Sequence, residues 1–223
     1  MVSSESCVVD FDSKPECYFN ATREDMLEFV PAEVRTAVEF GCGNGKFAAL
    51  VKERRQAEVW GVEIQPQAAQ QAAQVLDRVI CEDALQALKL LPDHYFDCAL
   101  FLDVLEHLVD PYSLLVQVKE KLTDQGVVVA SIPNIRYYRV FWDFVWNGNW
   151  DYKEQGILDS THLRFFTRKS ILKMFKRLGY QVERLEGIHP TRSRTFRILN
   201  ACFLNRFADV RYKHFVVVAR PNR

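Results

Sequence analysis

Short apolar runs alternate with stretches of helical period along most of this chain. Ala37–Phe40, Glu58–Ile64, Val79–Ile80, Phe96–Leu102 and Val127–Ile132 are brief and nearly continuous in apolar residues, as strands covered on both faces are. Between them the period changes. Phe47, Leu50 and Val51 share one helical face, and Pro66–Leu76 and Leu85–Leu91 read as further helices. Asp110-Pro111 supplies an N-cap and a first helical residue for Tyr112–Leu122. Thr167 caps a helix whose apolar face is Ile171, Leu172, Phe175 and Leu178, and Gly179 ends it. Met26, Leu27, Phe29 and Val30 form one more helical pattern, stopped by Pro31, and Gln181–Glu186 and His214–Ala219 add two late strands. Strands alternating with helices imply an α/β protein built on a parallel sheet.

Two stretches stand outside this rhythm. Arg136–Trp150 carries Tyr137, Tyr138, Phe141, Trp142, Phe144, Trp146 and Trp150. Trp142 and Trp146 are four apart and share a face if the segment is helical. It reads either as an aromatic lid over an apolar or planar acceptor, or as an extra hydrophobic cluster or homodimer face. Thr191–Arg211 places Phe196, Leu199, Phe203 and Phe207 at helical spacing, among arginines 192, 194, 197, 206 and 211. An interface helix, a site for a phosphate-bearing substrate and a solvated basic face all fit that pattern.

The 223 residues suit a single domain over 21–223, with insertions at about 135–158 and 189–211 and a loose polar start over 1–20. Hydrophobic residues at 48% and charged ones at 26% describe an ordinary globular core. Lys plus Arg and Asp plus Glu both total 29, so nothing asks for a nucleic-acid partner. No run approaches a membrane span and no secretory signal opens the chain, so a cytoplasmic protein is expected. The six cysteines form no Cys-x-x-Cys pair. Reduced thiols are expected, with no metal.

The chemistry begins at Val38–Lys46, where a strand containing Glu39 meets Gly41, Gly43 and Gly45 ahead of a helix. Glycines there let the backbone turn sharply and let a ligand approach the main chain, and a helix start offers N–H groups. The third glycine comes one residue too early for a dinucleotide fingerprint. Phe40 and Phe47 stand where a P-loop needs glycine and a hydroxyl residue. Glu63 ends the next strand about twenty residues on, where doubly wound folds place a carboxylate for a ribose diol.

Glu39-Phe-Gly41-Cys42-Gly43-Asn44-Gly45 resembles motif I of the class I S-adenosylmethionine (SAM)-dependent methyltransferases. That resemblance covers about residues 36–187 and the last strand. It implies a doubly wound, seven-stranded, mostly parallel sheet in three αβα layers, with one antiparallel strand near the C-terminus. It also implies SAM as cofactor, held by Glu39, the turn residues Gly41 to Gly45, Glu63 with Ile64, Asp83 with Ala84, and Leu102 with Asp103. Asp83 would face the adenine amine, and it also reads as a helix N-cap. Tyr18, Phe19 and Arg23 match an N-terminal helix that leans over the cofactor in similar enzymes.

Asp103-Val-Leu-Glu-His107-Leu looks like the segment after the fourth strand in many small-molecule methyltransferases, and no Asn/Asp-Pro-Pro-Tyr/Phe of the DNA-amine branch occurs. Asp159–Thr167 recurs in a subgroup with small-molecule, sugar or lipid-like acceptors. The expected activity is methyl transfer from SAM to O, N or C of a sugar, nucleotide-sugar, or aromatic or lipid-like metabolite. His107, then His162, are the candidate bases for an oxygen acceptor; His107 also reads as closing the cofactor pocket or as a structural hydrogen-bonded histidine, and His162 as a loop brace. Tyr138, Trp142, Trp146 and Arg164 are the candidate acceptor contacts, although Arg164 also reads as a loop brace. A non-catalytic SAM- or nucleotide-binding module is the alternative.

Overall fold

The computed structural model describes residues 23–193, 196, 200 and 203–222. Tyr18 and Phe19, the loose start, and Arg194, Arg197 and Leu199 lie outside them.

The apolar runs become the middle of one sheet. β1 (Thr36–Phe40), β2 (Glu58–Glu63), β3 (Arg78–Cys81), β4 (Phe96–Leu102), β5 (Leu122–Pro133), β6 (Tyr180–Pro190) and β7 (Tyr212–Pro221) stand in the order β3-β2-β1-β4-β5-β7-β6. β1 to β5 pair in parallel, and β7 runs antiparallel to both β5 and β6. Alternate residues of each strand feed two cores. Val38, Phe40, Ala99 and Phe101 face Leu88, Leu114, Leu115, Val118 and Phe175, so α3 (Ala84–Ala87), α4 (Pro111–Lys121) and α6 (Arg168–Arg177) cover that side. Ala37, Val59 and Leu100 face Phe47, Val51, Ala72, Met26 and Phe29. There α1 (Lys46–Arg55), α2 (Pro66–Ala72) and a 3-10 helix over Glu24–Phe29 lie. The α5 helix (Tyr138–Asn147) joins neither layer and buries no residue.

The capping expectations hold, Asp83 included. Asp110 accepts from the Tyr112 and Ser113 amides at 3.1 and 3.0 Å, and Thr167 and Ser170 cap each other across the first turn of α6. β6 and β7 run longer than their apolar runs, and β6 is an edge strand. Its outer face is solvated, so its ends carry no hydrophobic signal.

The helical spacing through Phe207 is not realised. Leu204 and Asn205 adopt positive φ of 52° and 58°, the Asn200 carbonyl accepts from Phe203 and Asn205, and its side-chain oxygen accepts from Phe207. Local asparagine bonds of this kind compete with a helix ladder, and here they make a turn before a 3-10 helix over Ala208–Arg211.

Gly41 has φ +66°, and a Cβ there would lie 2.6 Å from Val104 Cγ2. Gly41→Ala is therefore expected to cost about 2–3 kcal/mol, from left-handed backbone strain plus overpacking. Thermal unfolding would read this as a midpoint lowered by roughly 4–10 °C. A fall of less than 2 °C would mean that Val104 moves aside.

Candidate functional site

The carboxyl ends of β3, β2, β1 and β4 lie side by side. The chain winds outward from β1 to β2 and β3 on one side, and from β4 to β5 on the other. A crevice opens where the winding reverses, between β1 and β4, and open α/β sheets bind ligands there. Gly41 and Val104 meet across it.

The glycine turn uses most of its own amides. Gly41 and Cys42 N–H both donate to Val62 O at 2.8 and 3.1 Å, and Gly45 N–H donates to Cys42 O at 2.9 Å. Gly43 N–H donates to Glu63 Oε2 at 2.8 Å, and Gln65 N–H donates to Glu63 Oε1 at 2.9 Å. A pyrophosphate would need those N–H groups as donors, whereas a phosphate-free nucleoside ligand needs the acceptors and the space. Glu63 is buried, yet each of its oxygens carries a second lone pair beyond the amide it accepts from. Burial raises its pKa, and the Gln65, Gly43 and Ile64 amides oppose that rise. Ile64, next in the chain, is 50% exposed, an apolar surface a planar base can cover.

Glu39 stands on β1 behind the turn. Burial, added to by the Glu63 charge and opposed by the Ala48 amide and Arg23, pushes its carboxyl up to about 8. The Cys42 side chain packs inward, so that a Cβ on Gly61 would meet its Sγ at 2.6 Å; burial pushes its thiol pKa up. Asp83 caps α3 by accepting from Leu85 N–H at 2.9 Å, which leaves its second oxygen for another donor.

After β4, Asp103 takes φ +56°. Its carboxylate pairs with Arg23, accepts from Ser131 Oγ at 3.2 Å and lies 3.6 Å from His214 Nε2. Burial opposes ionisation of Asp103, and His214, Arg23 and Ser131 outweigh it, holding the carboxyl below its usual range. Arg23 also donates to Ser131 Oγ at 2.9 Å, which fastens the chain ahead of the first 3-10 helix across the ends of β4 and β5.

His107, in the loop after β4, and His162, just past the insertion, come together across the fold. Their rings are 4.6 Å apart, edge to face, and both are buried. His107 Nδ1 lies 3.2 Å from Thr161 O, and His162 Nδ1 lies 3.0 Å from Ile157 O. A carbonyl only accepts, so each Nδ1 carries the proton and each Nε2 the lone pair. Burial and the neighbouring His162 push the His107 pKa down to about 4, so it is neutral at pH 7. A line of ring contacts leads outward from this pair: His162 to Phe165, Phe165 to Trp150, and Trp150 to Phe144 on α5.

A methyltransferase domain family model matches residues 17–185, about three quarters of the chain. The chain belongs to the methyltransferase domain family. Its fold is shared with a SAM-dependent methyltransferase from Archaeoglobus fulgidus at 22% identity and TM-score 0.68, over 92% of this chain and 96% of that one. It is shared also with a SAM-dependent methyltransferase from Mesorhizobium loti at 22% identity and TM-score 0.61, over 90% and 98%. The plantazolicin methyltransferase BpumL, solved in complex with SAH, aligns at 16% identity and TM-score 0.64, over 96% and 91%. A search of curated proteins returned no match. The protein is a class I SAM-dependent methyltransferase, and its turn chemistry fits that phosphate-free cofactor.

In this methyltransferase Glu39, Gly41 to Gly45, Glu63, Ile64, Asp83, Ala84, Leu102 and Asp103 all stand along one sheet edge. The candidate acceptor contacts divide. Trp142 and Trp146 stack on each other at 4.7 Å and are 47% and 71% exposed, and Tyr138 touches Tyr137 and Phe196. The rings that reach the histidine pair are Phe165, Trp150 and Phe144 instead. Arg164 is exposed and donates to Val109 O at 2.6 Å, so it braces the loop after β4. Sequence reasoning passed over Ser131 and His214; it marked the Asp159–Thr167 run but not the bonds from Thr161 to Asp159. A lone serine and a lone histidine within apolar strands were the available signals.

Proposed function

We propose that this methyltransferase transfers the methyl group of SAM to an oxygen, nitrogen or carbon atom of a small molecule with a planar apolar part. The observation that supports this reading is the run of rings from α5 through Trp150 and Phe165 to His162 and His107. Such a surface suits an aromatic or lipid-like acceptor, because planar groups gain by stacking and edge contacts when water leaves.

SAM, when bound, supplies an electrophilic sulfonium methyl. The chain's own residues have to hold and orient. Glu63 would accept from the ribose hydroxyls, as a carboxylate with two acceptor oxygens matches a diol. Asp83 would accept from the adenine amine, Ile64 would cover one face of the base, and Asp103 with Arg23 would take the charged amino-acid end. Alignment of acceptor and methyl can supply about 7–11 kcal/mol of the barrier reduction. An acceptor hydroxyl would find lone-pair nitrogens at His107 and His162 for its proton.

The test begins with calorimetric titration by SAM, S-adenosylhomocysteine and NADH. Micromolar binding of the first two alone is expected. Transfer of labelled methyl from SAM is then screened over aromatic alcohols and amines, lipid-like amphiphiles, sugars and nucleotide-sugars. Turnover confined to sugars would overturn the planar-acceptor reading. Tight SAM binding without turnover on any acceptor would point to a binding module.

A further inference from the structure

Glu106, in the loop after β4, is 1% exposed, and neither of its carboxylate oxygens has a hydrogen-bond partner. Its main chain is held, with its carbonyl accepting from the Leu163 and Arg164 amides at 2.9 and 3.0 Å. The backbone at Glu106 is thus held while its buried carboxyl has no partner, and a buried acid of that kind calls for a cation or a donor. His162 Nε2 lies 4.0 Å from Glu106 Oε1, too far for a hydrogen bond. One ligand atom from each of Glu106, His107 and His162 lies within 4.8 Å of the others.

We propose that Glu106, His107 and His162 form a binding site for a divalent transition-metal ion of the zinc class, with at least one coordination position open to another ligand.

The two imidazoles are already oriented for it. Each spends its Nδ1 proton on a backbone carbonyl, Thr161 O or Ile157 O, which is how metal-ligating histidines are commonly fixed, with Nε2 as the donor atom. A further layer holds the first. Asp159, also 1% exposed, accepts from the Thr161 amide at 2.9 Å and from the Thr161 hydroxyl at 2.7 Å, so Thr161 presents its carbonyl to His107 rigidly. One carboxylate with two imidazoles suits zinc and its transition-metal neighbours, whereas calcium and magnesium take oxygen ligands. Ligand atoms about 2.0–2.2 Å from such an ion stand somewhat closer than here, and a small inward shift of the side chains closes the gap. The expectation of no metal came from cysteine spacing, which cannot register ligands from two distant loops. As a Lewis acid, the ion would bind an acceptor hydroxyl and lower its pKa, in place of proton transfer to the His107 and His162 nitrogens, which the ion would occupy. That use rests on the proposed acceptor reading; the binding itself does not.

The full chain, stripped with a chelator, is titrated with Co²⁺ and then Zn²⁺ in the absence of SAM. One equivalent of Co²⁺ with intense visible d–d bands is expected, displaced by Zn²⁺, and Zn²⁺ should raise the thermal midpoint. Glu106→Gln and His162→Ala should each weaken Co²⁺ binding by at least about 100-fold. Cys81→Ser, which removes an exposed thiol, should change nothing. If the ligand variants fail to fold, proton NMR of the Co²⁺ protein should still show two hyperfine-shifted, exchangeable imidazole N–H signals. No stoichiometric binding, unchanged binding in Glu106→Gln, or fewer than two such signals would overturn the proposal. A metal-free protein that binds SAM but no ion would sink this proposal and leave the acceptor reading standing. Metal binding without SAM binding would do the reverse.

Discussion

Replacing Glu63 with alanine should weaken SAM binding by at least about 100-fold, the largest single effect expected at the cofactor edge. The carboxylate serves two purposes. It ties the Gly43 and Gln65 amides together, and its remaining lone pairs suit a ribose diol. Hydrogen bonds to a charged group contribute about 1.5–3 kcal/mol each, and removing the acceptor also strands two inward-facing amides. Glu63→Gln should fall between the two, since one oxygen remains an acceptor and the other becomes a donor facing donors. Calorimetry below the variant's melting temperature separates affinity from folding. If Glu63→Ala binds SAM within threefold of the unmodified protein, the cofactor does not use this acid.

A second large effect is expected with pH. The Glu39 carboxyl is raised to about 8 by burial, with the Glu63 charge adding to it and the Ala48 amide and Arg23 opposing. A folded pKa above the unfolded value of 4.5 means that the native state holds the proton more tightly. The associated stability is fully present below pH 4.5 and is lost as pH rises towards 8. The span corresponds to on the order of 5 kcal/mol. Glu39→Gln keeps an acceptor for the Ala48 amide and never ionises, so it should remove this slope. Melting curves at pH 5 should nearly coincide, and at pH 9 the variant should melt several degrees higher. Equal melting at pH 9 would show that Glu39 ionises at no cost, against a buried protonated acid.

The parallel half of the fold was legible because its strands are short, apolar and covered on both faces, so burial writes itself directly into residue type. The positions of Glu63 and Asp83 at the carboxyl edge could be read for a related reason, since they are acids at or just past the ends of such strands. What could not be read came from residues whose partners lie far off in the chain. Arg23 meets Asp103 and Ser131, and Glu106 meets His162, only after the sheet assembles. The aromatic segment was recognised as unusual, but rings four apart share a face without declaring what they face. Trp142 and Trp146 turned to each other, while Trp150 packed on Phe165, which touches His162. The 203–207 turn escaped because asparagine at position 200 spends its side chain on local amides, which apolar periodicity does not record.

The place of β7 between β5 and β6 has a consequence for the order in which the molecule assembles. The outer edge of β5 cannot be closed by anything that precedes Tyr212 in the chain, and β6 pairs with β7 alone among the described residues. Until that late segment arrives, an apolar strand from the middle of the sheet stands with open backbone groups, the kind of edge that recruits other chains. Nonlocal pairing of this sort is also slow. During synthesis the half-built sheet is therefore a natural client for a chaperone. Overproduction should fail first by aggregation through β5, and sooner than a fold of similar size completed in chain order.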